Sequence, residues 1–144
     1  MLNRTWKLGK KAHELTVGEK LHLTETIEDK DLLLYLGLTN DNNPLFIQHD
    51  YTANTPYEKP IVPVIMLNGI ISSAVSKYLP GPGSRIVEQQ LRYTIPVYHY
   101  ETIDFVLQIA AIDESTQLVS VDVQAINMAQ EVVLTGRVIV QPPY

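Results

Sequence analysis

The chain contains no cysteine. That excludes a disulfide framework, a thiolate-bound metal and a cysteine nucleophile, and it fits a reducing compartment. No run of about 18 apolar residues occurs, so no membrane-spanning helix is expected. The opening stretch MLNRTWKLGKKAHEL lacks the apolar centre of a signal peptide, and a cytoplasmic protein is the expectation. Positive charge is also scarce. Eleven Lys and Arg stand against 16 Asp and Glu, a net charge of −5, which argues against a nucleic-acid backbone as partner. Internal repeats, low-complexity tracts and Gly/Ser linkers are missing too. What remains is 144 residues, 45% hydrophobic and 19% charged. That length and composition suit one globular domain, residues 1–144, able to bury its own core.

Residues 1–20 are polar and basic, with Trp6 as the lone large apolar anchor and Arg4, Lys7, Lys10 and Lys11 as a small basic cluster. Lys20 to Ile27 places Leu21, Leu23 and Ile27 on one face, the pattern of a half-buried strand that Glu25 interrupts. Thr26 followed by Glu28, Asp29 and Asp31 signals a helix start, because acids favour the positive end of the helix dipole. The predicted helix runs from Asp29 to Leu36, with Gly37 as its left-handed stop. A turn-rich stretch, Thr39 to Pro44, follows, then a short helical piece at Asp50 to Ala53. The clearest helix begins at Pro63, a residue suited to the first helical position. Leu67, Ile70, Ile71, Ala74, Val75 and Tyr78 recur with a 3.6 period. No charge falls between Val64 and Ser76, so this helix is predicted to be buried on most sides. Leu79-Pro80-Gly81-Pro82-Gly83 ends it.

Four alternating segments come next. Their apolar sets are Val87/Leu91/Tyr93/Ile95, Ile103/Phe105/Leu107/Ile109/Ala111, Val119/Val121/Val123/Ala125 and Val132/Leu134/Val138/Val140. Gln89 falls on the apolar side of the first and predicts a buried amide. Short polar connections make neighbouring strands antiparallel. The simplest assembly is an α+β domain, one antiparallel sheet curved around one buried helix.

Several segments together resemble a known family. Asp41-Asn42-Asn43-Pro44-Leu45-Phe46-Ile47-Gln48-His49-Asp50 is similar to the segment S-G-D-x-N-P-x-H-x-D of the MaoC-like dehydratases, relatives of (R)-specific enoyl-CoA hydratase with the hot-dog fold. Ile61-Val62-Pro63-Val64-Ile65-Met66 resembles the family's helix entry [IV]-V-H-G-M-L. Leu79-Pro80-Gly81-Pro82-Gly83-Ser84 resembles its L-P-G-x-G-S, and Gln89-Gln90-Leu91-Arg92-Tyr93-Thr94-Ile95-Pro96-Val97 its Q-x-L-R-[FY]-x-x-P-V. The resemblance implies a hot-dog domain, an acyl thioester of coenzyme A or an acyl carrier as ligand, and no cofactor. It implies a dimer, of two copies or with a hot-dog homologue. It puts Asp41 in the catalytic position and Asn43, Phe46, Val64 and Ser72 in substrate-binding ones. The amide of Val64 takes the role of polarising the thioester carbonyl, where a helix N-terminus can hold growing negative charge.

The departures cluster on the chemistry. Phe46 stands where the family has its histidine, and a phenyl ring moves no proton. Loss of one positioned acid or base removes about 10²–10⁴ in rate. Val64, preceded by Pro63, replaces the family's His-Gly. Three readings therefore stay open: a hydratase or dehydratase with weakened or lost activity, a non-catalytic partner subunit of an active dehydratase, and a hot-dog thioesterase using Asp41 or Glu101. On residues alone, Asp41 also serves as a turn cap, Asn43 as a turn brace, Phe46 as core or tunnel lining and Ser72 as helix filler. An Asp41 packed beside Phe46 with little water would have a raised pKa. His49 and Asp50 lack a third ligand, so no metal site is expected.

Overall fold

The computed structural model describes residues 7–144; Arg4 and Trp6 lie outside the described residues. After a one-turn 3₁₀ helix at Ala12–Glu14, the elements are β1 (Lys20–Thr26), α1 (Asp29–Thr39), α2 (Pro44–Ile47), α3 (His49–Thr52), α4 (Val64–Lys77), β2 (Arg85–Tyr93), β3 (Thr102–Asp113), β4 (Leu118–Ile126) and β5 (Val132–Gln141). The five strands form one antiparallel sheet in the order β1-β3-β4-β5-β2. β2 thus pairs with β5 at the far edge and does not neighbour β3, although β3 follows it in sequence. The connection through Val97 and Tyr98 crosses the sheet and is tied to the entry of α4. Val62 N–H donates to the Val97 carbonyl (2.7 Å), and Ile61 bridges Tyr98.

The period-2 pattern fills the core face of the sheet. Ile103, Phe105, Leu107 and Ile109 of β3 join Val119, Val121, Val123 and Ala125 of β4 and Leu134, Val138 and Val140 of β5 in one buried cluster. Leu67, Ile71, Ala74 and Val75 of α4 complete it. Ile71 is wholly buried, a placement that stabilises by about 1.5–3 kcal/mol relative to an exposed side chain. The helix is buried on that face only. Val64, Ile65, Gly69, Ser72 and Ser76 form an open, uncharged side. Tyr78 sits just past the helix end and is exposed, not part of the apolar stripe.

Three register slips break the simple alternation, one of them between Ala125 and Ile126 of β4, where Val133 of β5 is the extra residue and is buried beside Leu134. Between Ile86 and Glu88 the pairing with β5 slips, so Val87 is an extra residue and the inward parity changes from Ile86 to Leu91 and Tyr93. Gln89 is therefore exposed, not buried as alternation alone predicts. Another slip between Ile109 and Ala111 turns Ala111 outward and brings Ile112 onto the core. Gly136 marks a close approach of two strands, since a Cβ there would lie 2.1 Å from the Gln90 carbonyl oxygen.

α1 differs from expectation at its end. It runs through Gly37 to Thr39, and the left-handed residue is Asn40 (φ 55°), whose N–H donates to the Leu36 carbonyl. Its start is held by Glu28, whose N–H donates to Asp31 Oδ2 (2.9 Å). Leucines spread around most of this helix, apart from the side that carries Asp31, Tyr35 and Thr39, and none is fully buried; Leu33, Leu34 and Leu38 are exposed. α1 thus overhangs the sheet and α4 and leaves a groove on each flank. Among the described residues no helix is long and apolar enough to cross a membrane.

Candidate active site under the overhanging helix

The left-handed turn at Asn40 reverses the chain past the end of α1 and folds Asp41 back along it. Three contacts then fix Asp41. Its N–H donates to Thr39 Oγ1 (3.2 Å), its Oδ1 accepts from Asn43 N–H (3.0 Å), and its Oδ2 accepts from the Tyr35 hydroxyl (2.6 Å). A carboxylate just beyond a helix C-terminus is disfavoured by the dipole. Here the Tyr35 hydroxyl, and second the Asn43 amide, outweigh desolvation and hold the Asp41 pKa below the usual carboxylate range. That is opposite to the rise expected of a carboxylate packed dry against Phe46. Asp41 is partly exposed and lies apart from that ring's groove. Ionised, it has about four lone-pair positions, two of them filled, so it retains room for a water.

Asn43 Oδ1 accepts from Leu45 N–H (3.0 Å) and caps α2, with Pro44 in the first turn where its missing N–H is harmless. The Leu45 carbonyl accepts from Ile61 N–H (3.0 Å), three residues before Val64. The Asp41 turn and the start of α4 are thereby tied together through main chain. Pro63 sits at the N-cap, one position before the helix, and Val64 is the first helical residue. The first N–H groups of a helix have no intrahelical acceptor, so the Val64 amide is free of helical bonding. Its side chain is exposed.

Two grooves flank α1. The first, about 490 Å³, runs between β1, α1 and α4; Leu23, Leu34, Tyr35, Met66, Gly69 and Ile70 line much of it. Its apolar middle ends toward Lys77 and Tyr78, with Glu25 and Asp31 also on its walls. The second, about 760 Å³, lies on the other flank, with Leu32, Leu36, Phe46, Tyr98 and His99 among its lining. The structure therefore separates two of the sequence-derived site residues. Asp41 is bonded to a residue of the first groove, whereas Phe46 lines the second. Asp41, Asn43, Val64 and Ser72 line neither groove themselves, and Ser72 lies on the open side of α4.

In the second groove, both ring nitrogens of His99 are shielded from solvent without a well-formed hydrogen bond. Burial above all lowers its pKa, against the opposing charge of Asp29. Lys59 stacks over Tyr98 at 4.8 Å from the ring centre. Glu101 is occupied locally, its Oε1 accepting from Tyr98 N–H (3.1 Å). Among the described residues, no three His, Cys, Asp or Glu side chains are placed to hold a metal.

Sequence reasoning did not single out Tyr35. Its signal is faint: a hydroxyl six residues before Asp41, on the far side of a residue that turns left-handed. Gly69 and Met66 carry no distinguishing signal either, because an uncharged helix face looks alike whether it meets a sheet or an apolar groove.

The comparisons with known proteins agree with this geometry. The family model for the MaoC like domain matches residues 11–130. The (R)-specific enoyl-CoA hydratase of Aeromonas caviae is 26% identical over 132 residues, 92% of this chain and 98% of that protein. The 3-hydroxybutyryl-CoA dehydratase of Methylorubrum extorquens is 26% identical over 130 residues, 90% of this chain and 82% of that protein. An unliganded R-hydratase structure from Pseudomonas aeruginosa superposes with a TM-score of 0.85 at 28% identity, covering 94% of this chain and 86% of that one. A sheet of this order, an overhanging helix and a match over most of its length lead to one conclusion: the chain belongs to the MaoC-like family of enoyl-CoA hydratases and 3-hydroxyacyl dehydratases.

Proposed function

We propose that the chain binds an acyl thioester, carried by coenzyme A or an acyl carrier, and that its chemistry is hydration of an enoyl thioester, or the reverse dehydration, at weakened rate. The observation that carries this reading is Asp41, whose carboxylate is held on the acid side by the hydroxyl of Tyr35, a residue of the apolar groove wall, and whose turn is tied to the start of α4. The acyl chain lies in the groove between α1 and α4. The thioester carbonyl faces the Val64 amide, the free donor at the positive end of α4.

In hydration, Asp41 accepts a proton from water as the water oxygen bonds to the β-carbon. The electron pair of the double bond moves toward the carbonyl oxygen, where the Val64 amide stabilises the enolate. The proton then passes to the α-carbon, so one water is added and nothing else is consumed. Phe46 contributes no proton transfer. With one acid/base group in place of two, the rate should lie about 10²–10⁴ below that of a complete site. Asn43 braces the turn, and Ser72 is assigned no chemical step. Because the weakness falls on Phe46 while the fold is intact, a second reading is a non-catalytic subunit beside an active hot-dog homologue. A thioesterase reading has less support, since Glu101 is held by its own turn.

The test is steady-state hydration of crotonyl-CoA, followed by loss of enoyl absorbance at high protein concentration. Slow hydration that falls by about 10²-fold or more in Asp41→Asn supports the catalytic reading. No hydration at all, with retained binding of a saturated acyl-CoA by calorimetry, leaves the binding subunit. Neither activity nor binding removes the proposal.

A further inference from the structure

The Tyr35 hydroxyl joins the candidate groove to the candidate carboxylate. Tyr35 lies on α1 with its side chain on the wall of the first groove, and its hydroxyl donates to Asp41 Oδ2 at 2.6 Å. The other carboxylate oxygen already has its donor in the Asn43 amide, a contact that the turn alone supplies. The turn does not need Tyr35. Thr39 Oγ1 donates to the Tyr35 carbonyl and accepts from Asp41 N–H, so the main chain is closed without the phenol. What the phenol adds is orientation of one carboxylate oxygen relative to the groove.

We propose that Tyr35 is a positioning residue for Asp41, orienting its carboxylate toward the groove and the bound acyl group. This rests on the reading of Asp41 as the acid/base group, and it adds a residue that the family motif does not name. Two consequences agree with it. The same contact that steadies the carboxylate makes the phenol harder to ionise, so Tyr35 remains a donor across the physiological range. The charged and titratable groups facing the groove are Glu25 from β1, Asp31 from α1, and Lys77 and Tyr78 at the end of α4. None of them hydrogen-bonds to Asp41 among the described residues, whose side-chain donor is Tyr35 alone.

The experiment compares wild type with Tyr35→Phe, which keeps the ring in the groove wall and removes the donor. Carbon-13 carboxylate spectra, with Asp41 assigned through Asp41→Asn, are followed through an acid titration. The Asp41 midpoint should move upward toward an ordinary aspartate in Tyr35→Phe and stay unmoved in Tyr57→Phe, a tyrosine whose hydroxyl makes no hydrogen bond to Asp41. If hydration is measurable, kcat should fall about tenfold, the scale of one hydrogen bond to a charged group, with KM little changed. The acid limb of the rate profile should move in the same upward direction. An Asp41 midpoint that Tyr35→Phe leaves in place overturns the proposal. The titration needs no turnover, so an inactive wild type would count against the catalytic reading and still decide the role of Tyr35.

Discussion

Gly69 offers a perturbation in which stability and binding should move in opposite directions. It sits inside α4, on the wall of the first groove, and a Cβ built there meets nothing within 4 Å. Glycine costs a helix interior about 0.8–1.0 kcal/mol relative to alanine, and leucine is close to alanine. Gly69→Leu should therefore stabilise the fold by somewhat under ~1 kcal/mol, or roughly 2–4 °C in Tm for a domain of this size. Its four side-chain carbons enter the groove. Gly69 lies about 7–8 Å along the helix from Val64 at ~1.5 Å per residue, so a butyryl group stops short of it and a decanoyl group passes. Displacing about four methylenes at ~0.8 kcal/mol each weakens the longer ligand by roughly 3 kcal/mol, or about 10²-fold. The assay pairs thermal unfolding with calorimetry on butyryl-CoA and decanoyl-CoA. Higher Tm, lost decanoyl affinity and retained butyryl affinity are expected. Higher Tm with unchanged decanoyl affinity would refute the groove as the acyl site, and a lower Tm would refute the open space at Gly69.

Two further substitutions probe the site and the core. Phe46→His places an imidazole where the resemblance puts an acid/base group and should raise crotonyl-CoA hydration by up to about 10²-fold; an unchanged rate would contradict the assignment of the weakened rate to Phe46. Ile71→Ala removes a wholly buried side chain from the helix–sheet contact and should cost about 2–5 kcal/mol in urea unfolding; a loss below ~1 kcal/mol would contradict the packing of α4 against the sheet.

The strands after Gly83 were legible because alternation with period 2 is local and survives in β3, β4 and β5 wherever the ladder is regular. The bulges at Val87, Ala110 and Val133 were not, because an extra residue leaves no reliable mark in a hydropathy pattern. They account for the misplaced Gln89 and Ala111. Strand order was also hidden: β2 lies at the edge beside β5, the β2–β3 connection crosses the sheet, and the sequence of that connection does not announce it. At α1 the glycine looked like the stop, yet Asn40 takes the left-handed turn, which leaves Gly37 helical and carries Thr39 into place beneath Asp41. The turn around Asp41 was visible as a motif, while the direction of its pKa was not. That direction depends on a tyrosine six residues away and on whether the carboxylate is covered, and both follow from how the chain folds back at Asn40. The one-sided burial of α4 escaped for a similar reason, since small uncharged residues line its open side.

A crystal structure of the protein soaked with a saturated acyl-CoA addresses the central claim most directly. The account predicts the acyl chain between Met66 and Lys77 under α1, the thioester oxygen within hydrogen-bond distance of the Val64 amide, and Asp41 beside the β-carbon. A thioester seated instead in the groove lined by Phe46 and His99 would contradict it.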